Sequence, residues 1–225
     1  ALRAGVTRFV LVSSLAAGGG GPRPRVESDV PRPASHYGKS KLEAEQRVLA
    51  ARERMHVVIV RPPAVYGPGD TRMVALFSAA RRGVIPMVEP SGSLSLVYGA
   101  DCADALVRAL TAQVPSGRVY YVADGEPYGR REFARLIGEA VGRRVRVVPV
   151  PVAGVVLAGA VNEAWGRLRE QSVVLSRDKV ADIRVAHQCC DAGLIREELG
   201  WRPSLRFGEG ARVTAEAYRR AGWIR

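Results

Sequence analysis

The chain has 225 residues, 47% of them hydrophobic and 25% charged, and carries a formal net charge of +12. That length and apolar content build a real core, as one large domain or two small ones, and exclude disorder and fibrous repeats. The positive charge is spread over single and paired arginines, such as Arg81, Arg82, Arg143 and Arg144, without a basic run or interleaved aromatics, which argues against a nucleic-acid partner.

In chain order, Ala1-Leu-Arg-Ala-Gly5 reads as the last turn of a helix ending at a glycine. The body of that helix is expected upstream, so the chain is expected to start inside a domain. A continuous apolar run over 8–14 predicts a buried parallel strand, and His56–Arg61 predicts a second. Between them a Gly/Pro-rich loop over 18–33 leads into a helix over 35–52, and the turn-rich segment 62–69 follows the second strand. Helices are expected over 71–82 and 101–113, a strand over 117–123, a helix over 130–141 and a strand over 144–150. Four more helices follow, over 153–169, 176–183, 192–199 and 209–221, and Gly83, Gly142, Gly200 and Gly222 fall where helix C-caps belong. The longest apolar stretch, 145–161, carries Arg146, Pro149 and Pro151 and is too short to span a bilayer. No signal-peptide pattern opens the chain, and Cys102, Cys189 and Cys190 have neither disulfide nor metal-ligand spacing. The expectation is a cytoplasmic protein with no membrane span and no metal. Strands and helices alternate at the front while helices dominate the rear, which predicts an α/β sheet layer followed by a smaller mixed α/β cap.

The chemistry is best sought at Tyr37-Gly-Lys-Ser-Lys41, which holds two of the chain's three lysines. Tyr37 and Lys41 are four residues apart, so on a helix both leave the same face, heading a stripe that continues through Ala44 and Val48 toward the core. An ammonium beside a phenol favours the phenolate and brings the group toward acid–base use near neutrality. The bland alternative for such a spacing is an exposed tyrosine and a Lys41–Glu45 surface pair. Upstream, Ser13 and Ser14 end a strand at its carboxyl edge, where open α/β sheets place ligand-contacting groups. Ser13 reads as strand-end packing, Arg61 as a buried partner for a carboxylate and Asp101 as a helix N-cap.

The order of these segments carries a resemblance. A strand ending in Ser13-Ser14 is followed by Tyr37-Gly-Lys-Ser-Lys41, then Arg61-Pro-Pro-Ala-Val-Tyr-Gly-Pro68, then Leu96-Val-Tyr-Gly-Ala-Asp101, and finally Leu199-Gly-Trp-Arg-Pro203 and Phe207-Gly-Glu-Gly210. This resembles the extended short-chain dehydrogenase/reductase family, the NAD-dependent epimerase/dehydratase group, over the whole chain. The Ser-Ser-Leu-Ala-Ala turn and the tail leading to Trp201 lean toward its 3β-hydroxysteroid-dehydrogenase-like branch. The resemblance implies the C-terminal part of a Rossmann-type doubly wound parallel sheet, with residues 1–125 the remainder of the NAD(P)-binding domain and 126–225 the substrate-binding cap, to which 67–94 contribute. It implies NAD or NADP as cofactor, NAD favoured, and hydride transfer at a secondary alcohol or ketone, on a sugar nucleotide or a 3β-hydroxysteroid-like alcohol. Tyr37 is then similar to the catalytic acid/base, Lys41 to the group that grips the nicotinamide ribose, and Ser14 to the hydroxyl that orients substrate. Pro62, Pro63 and Val65 match the nicotinamide side of the pocket, Tyr66 and Arg72 match substrate contacts, although Tyr66 reads equally as a turn-packing aromatic, and a homodimer would form through the helix carrying Tyr37 and Lys41.

One departure stands out. The family's G-x-x-G-x-x-G loop, whose backbone N–H groups hold the pyrophosphate, has no counterpart in this sequence. The glycines at 18–21 precede Pro22 and are read as opening no helix. About 90 or more residues of sheet are expected in front of Ala1, by the dimensions of βαβ units. The isolated chain is therefore expected to lack dinucleotide binding and turnover and to be prone to aggregation. A dinucleotide-sensing regulator without turnover is the alternative, whose usual mark, loss of the Tyr/Lys pair, is not met.

Overall fold

A computed structural model of the chain describes residues 1–88, 90–151 and 185–224. The helices expected over 153–169 and 176–183 lie outside the described residues. The front of the molecule is a parallel sheet of β1 (Arg8–Val12), β2 (His56–Arg61) and β7 (Arg118–Tyr121) in the order β1-β2-β7. Phe9 stands opposite Val57, and Ile59 opposite Val119, so that β2 is the middle strand. Its side chains explain that position. Val57 to Val60 are all fully buried, and alternate residues enter opposite faces of the sheet. Val57 and Ile59 pack with Met55, Phe9, Leu11, Val48 and Leu49 beneath α2 (His36–Leu49), whereas Val58 and Val60 join Ala105, Ala109, Tyr120, Ile195 and Trp201. The latter group lies beneath α4 (Gly99–Thr111) and α6 (Gly193–Leu199). Helices thus cover both faces, as expected for an α/β layer.

A second core gathers Tyr66, Phe77, Ile85, Leu96, Phe133, Ile137, Phe207 and Tyr218. Its elements are β3 (Ala64–Tyr66), α3 (Val74–Arg81), β4 (Val84–Met87), β6 (Leu96–Tyr98), α5 (Arg130–Ala140), β9 (Arg146–Pro149) and α7 (Phe207–Arg220). Parallel pairs β3-β6 and β4-β9 frame it, and β5 (Ser93–Leu94) lies between β8 (Tyr128–Gly129) and β10 (His187–Gln188). The two cores interleave along the chain, because residues 190–201 return to the first and residues 66–98 supply much of the second. Among the described residues no helix is long and apolar enough to cross a membrane.

Several boundaries move from their expected places, each for a local reason. The strand expected over 8–14 ends at Val12, because Ser14 caps a short helix, α1 (Leu15–Gly18), by accepting from the Ala16 N–H. The segment over 71–82 divides into a 3-10 turn, Thr71–Met73, capped by Asp70, and then α3. Because α4 begins at Gly99, Asp101 falls in its first turn rather than at its N-cap. There its carboxylate accepts from Ser204 Oγ at 2.6 Å, and its carbonyl accepts from Trp201 Nε1 at 3.0 Å, so it fastens the C-terminal segment to α4. Gly83, Gly142, Gly200 and Gly222 all have positive φ, between 60 and 80°, the left-handed geometry that lets a chain leave a helix.

Candidate functional site

Everything in the site hangs on the carboxyl ends of β1 and β2. Ser13 N–H still bonds the Val60 carbonyl at 2.8 Å, and Leu15 N–H bonds the Pro62 carbonyl at 2.8 Å, so Ser14 is held against the end of β2. Alternation then separates the two serines. Ser13 is buried and donates its hydroxyl to the Glu45 carboxylate, whereas Ser14 is only half-buried. Ser14 Oγ accepts from Ala16 N–H at 3.2 Å and so keeps its own proton to donate.

Helix α2 brings the other two groups. It starts at Ser35, whose hydroxyl accepts from the Gly38 N–H at 3.0 Å. Gly38 faces α1 so closely that a Cβ there would lie 2.4 Å from the Ala16 carbonyl oxygen. That contact turns the first turn of the helix toward α1. The fully buried positions are Gly38 and Glu45, not the stripe through Tyr37, Ala44 and Val48, and Tyr37 is 47% exposed. A surface Lys41–Glu45 pair does not form either, since Glu45 is buried on Arg61. Lys41 Nζ lies 5.8 Å from the Tyr37 ring centroid and donates to the Val12 carbonyl at 3.1 Å. The lysine therefore reaches back from the helix to the strand end that carries Ser14. A phenol at the rim, an ammonium under it and a hydroxyl at the strand end are the parts needed to pass a proton to or from an oxygen.

Pro62 is buried, with Pro63 and Val65 partly exposed along the same edge. The Val65 carbonyl accepts from Arg72 Nη2 at 3.3 Å, while Arg72 Nε pairs with Asp70 at 2.8 Å and its side chain is largely exposed. Tyr66 takes the packing role rather than that of a substrate contact. It is 1% exposed, packed edge-on against Phe207 with ring centroids 4.9 Å apart, and belongs to the second core. The glycines at 18–21 also have a structural use. A Cβ on Gly18 would stand 2.0 Å from the Tyr121 hydroxyl, and Gly19, at φ 77°, faces the Arg32 carbonyl at the same distance.

One charged group, Asp124, has no local pattern in the sequence to mark it. Asp124 is buried beside Tyr66 and Tyr128, its Oδ1 has no hydrogen-bond partner among the described residues, and burial pushes its carboxyl up to about 7. Folding therefore takes up a proton on Asp124 between its ordinary value of 3.8 and about 7. The parent protein should lose stability across that window as pH rises. Asp124→Asn, which cannot ionise, should show a gain in Tm that is smallest near pH 4 and fully developed above pH 7. Thermal melts across that pH range check this, and a gain independent of pH would contradict it.

Residues 1–123 match the model of the NAD dependent epimerase/dehydratase family. The chain is 32% identical to the ceramide reductase of Caulobacter vibrioides, over 100% of this chain and 66% of that protein. It is 30% identical to the UDP-glucose 4-epimerase of Vibrio cholerae, over 98% of this chain and 66% of that protein. The chain thus spans about two thirds of the length of these curated relatives. Its fold superposes on MoeE5, solved in complex with UDP-glucuronic acid and NAD, with a TM-score of 0.75 and 23% identity over 98% of this chain and 67% of that one.

Proposed function

The chain belongs to the NAD dependent epimerase/dehydratase family, and from that premise we propose that it carries the acid–base machinery of an NAD(P)-dependent oxidoreductase or epimerase. The observation that carries this reading is the reach of Lys41 from beneath Tyr37 to the strand end that bears Ser14. The fit to a nicotinamide dinucleotide is partial. Tyr37, Lys41, Pro62, Pro63 and Val65 offer a rim, a cation and an apolar edge suited to the ribose and nicotinamide, while the sequence offers no G-x-x-G-x-x-G loop for the pyrophosphate.

When bound, such a cofactor supplies a hydride acceptor or donor. The chain's own residues handle the proton. Ser14 donates to the substrate oxygen and fixes where it sits, and Tyr37 takes the hydroxyl proton as a secondary alcohol is oxidised or returns it as a ketone is reduced. Lys41 keeps a positive charge beside the tyrosine and is placed to hold the ribose hydroxyls. The substrate is a sugar nucleotide or a 3β-hydroxysteroid-like alcohol, and the relatives support an alcohol or ketone without choosing between these. The experiment is an assay of the whole protein with NAD and with NADP against one UDP-sugar and one 3β-hydroxysteroid. Turnover of either class with either cofactor supports the reading, and reduced-cofactor binding without turnover of any alcohol or ketone would favour a sensor instead.

A further inference from the structure

The acid–base reading leaves a buried charged network unused. Glu45 lies one turn beyond Lys41 on α2, and Arg61 ends β2; their side chains are 2% and 5% exposed. Arg61 Nε donates to Glu45 Oε1 at 2.8 Å and Nη2 to Oε2 at 2.6 Å, while Ser13 Oγ donates to Oε1 as well. The remaining nitrogen, Arg61 Nη1, donates to the Tyr121 hydroxyl at 3.0 Å, and that phenol closes over Gly18. One ion pair thereby joins the carboxyl ends of β1, β2 and β7 with α1 and α2.

Stability alone is a poor reason for such a pair. Removing both ions from water costs several kcal/mol each, and well-packed apolar side chains of similar volume hold a core as well or better. What apolar side chains lack is direction. A bidentate guanidinium–carboxylate contact fixes both distance and plane. Here the fixed partners are the immediate neighbours of the site, since Ser13 precedes Ser14, Arg61 precedes Pro62 and Glu45 follows Lys41 by one helical turn.

We propose that the Glu45–Arg61 pair is the positioning device of the site, locking the register of α2 on the strand ends so that Tyr37 and Lys41 face Ser14. This rests on the function proposed above. An apolar pair would fill the same volume but would let α2 turn or slide on the sheet, and small displacements of reacting groups are costly to rate.

The test uses the whole protein and three variants, with rates expressed per folded molecule well below each Tm. Glu45→Leu combined with Arg61→Met leaves no unpaired charge, takes the buried Ser13 and Tyr121 hydroxyls from their partners, and should melt somewhat below the parent while staying folded at the assay temperature. Its kcat should fall by about 10- to 100-fold, with KM for the dinucleotide raised, because Lys41 and Tyr37 move together. Glu45→Asp keeps the charges paired but draws the carboxylate back by one methylene, and it should show the same pattern more weakly; it carries the test if the double variant does not fold. Parental kcat and KM per folded molecule in the paired variants, whatever their Tm, mean that the pair is purely structural, and that result overturns the proposal. Tyr37→Phe runs alongside: loss of its turnover with parental kinetics in the paired variants refutes the positioning role alone, whereas retained turnover refutes the acid–base reading and the positioning role with it.

Discussion

Tyr37→Phe should lower turnover by about two to four powers of ten, the range expected for a general acid–base group, while leaving the fold intact. The substitution keeps a ring of the same shape over the Lys41 ammonium, 5.8 Å away, and removes only the hydroxyl. The ring is nearly half exposed at the rim of α2, so little core packing is at stake. Steady-state rates of the whole protein, followed through the absorbance of the reduced nicotinamide, check the result alongside thermal melts. A variant with near-parental turnover would remove Tyr37 from the chemistry.

The second large effect concerns stability. Arg61→Met alone strands the Glu45 carboxylate in the core with the Ser13 hydroxyl as its remaining donor among the described residues, and breaking a buried pair in this way costs about 3–5 kcal/mol. Adding Glu45→Leu should recover most of that loss, because the uncompensated charge is gone. Burial works against the charge of Arg61, but Glu45 and Tyr121 hold its pKa above the ordinary value. Denaturant titration of parent, single and double variants reads the difference. Equal stability of the single and double variants would mean that the pair's charge is screened by water.

How much of this was legible beforehand varied with the kind of information involved. The sheet strands and the Tyr37–Lys41 spacing could be read because they depend on local pattern, an apolar run for β2 and a helical period for α2. The face that α2 buries could not, since it follows from the approach of α1 to Gly38 and the seating of Glu45 on Arg61, contacts between segments that a periodicity count treats as unrelated. Arg61 was recognisable as a buried cation in need of a carboxylate, yet sequence gave no means of choosing Glu45, sixteen residues earlier, over other acids. A carboxylate one turn past Lys41 was the available signal, but its spacing suggested only a surface pair with that lysine, the alternative to an acid–base site. Tyr66 stayed open between packing and ligand contact for a similar reason. Its place in a turn-rich segment says nothing of Phe207 and Gly210, contributed by a helix far along the chain, which enclose its ring.

The central claim is that Lys41 holds a nicotinamide ribose at the strand end bearing Ser14. Fluorescence titration of the whole protein and its Lys41→Ala variant with NADH and NADPH tests it most directly. The account predicts that the preferred cofactor binds the variant at least about tenfold more weakly, a difference of about 1.4 kcal/mol, while Tyr37→Phe binds it nearly as the parent does. Equal affinity of the parent and Lys41→Ala for that cofactor would contradict the account.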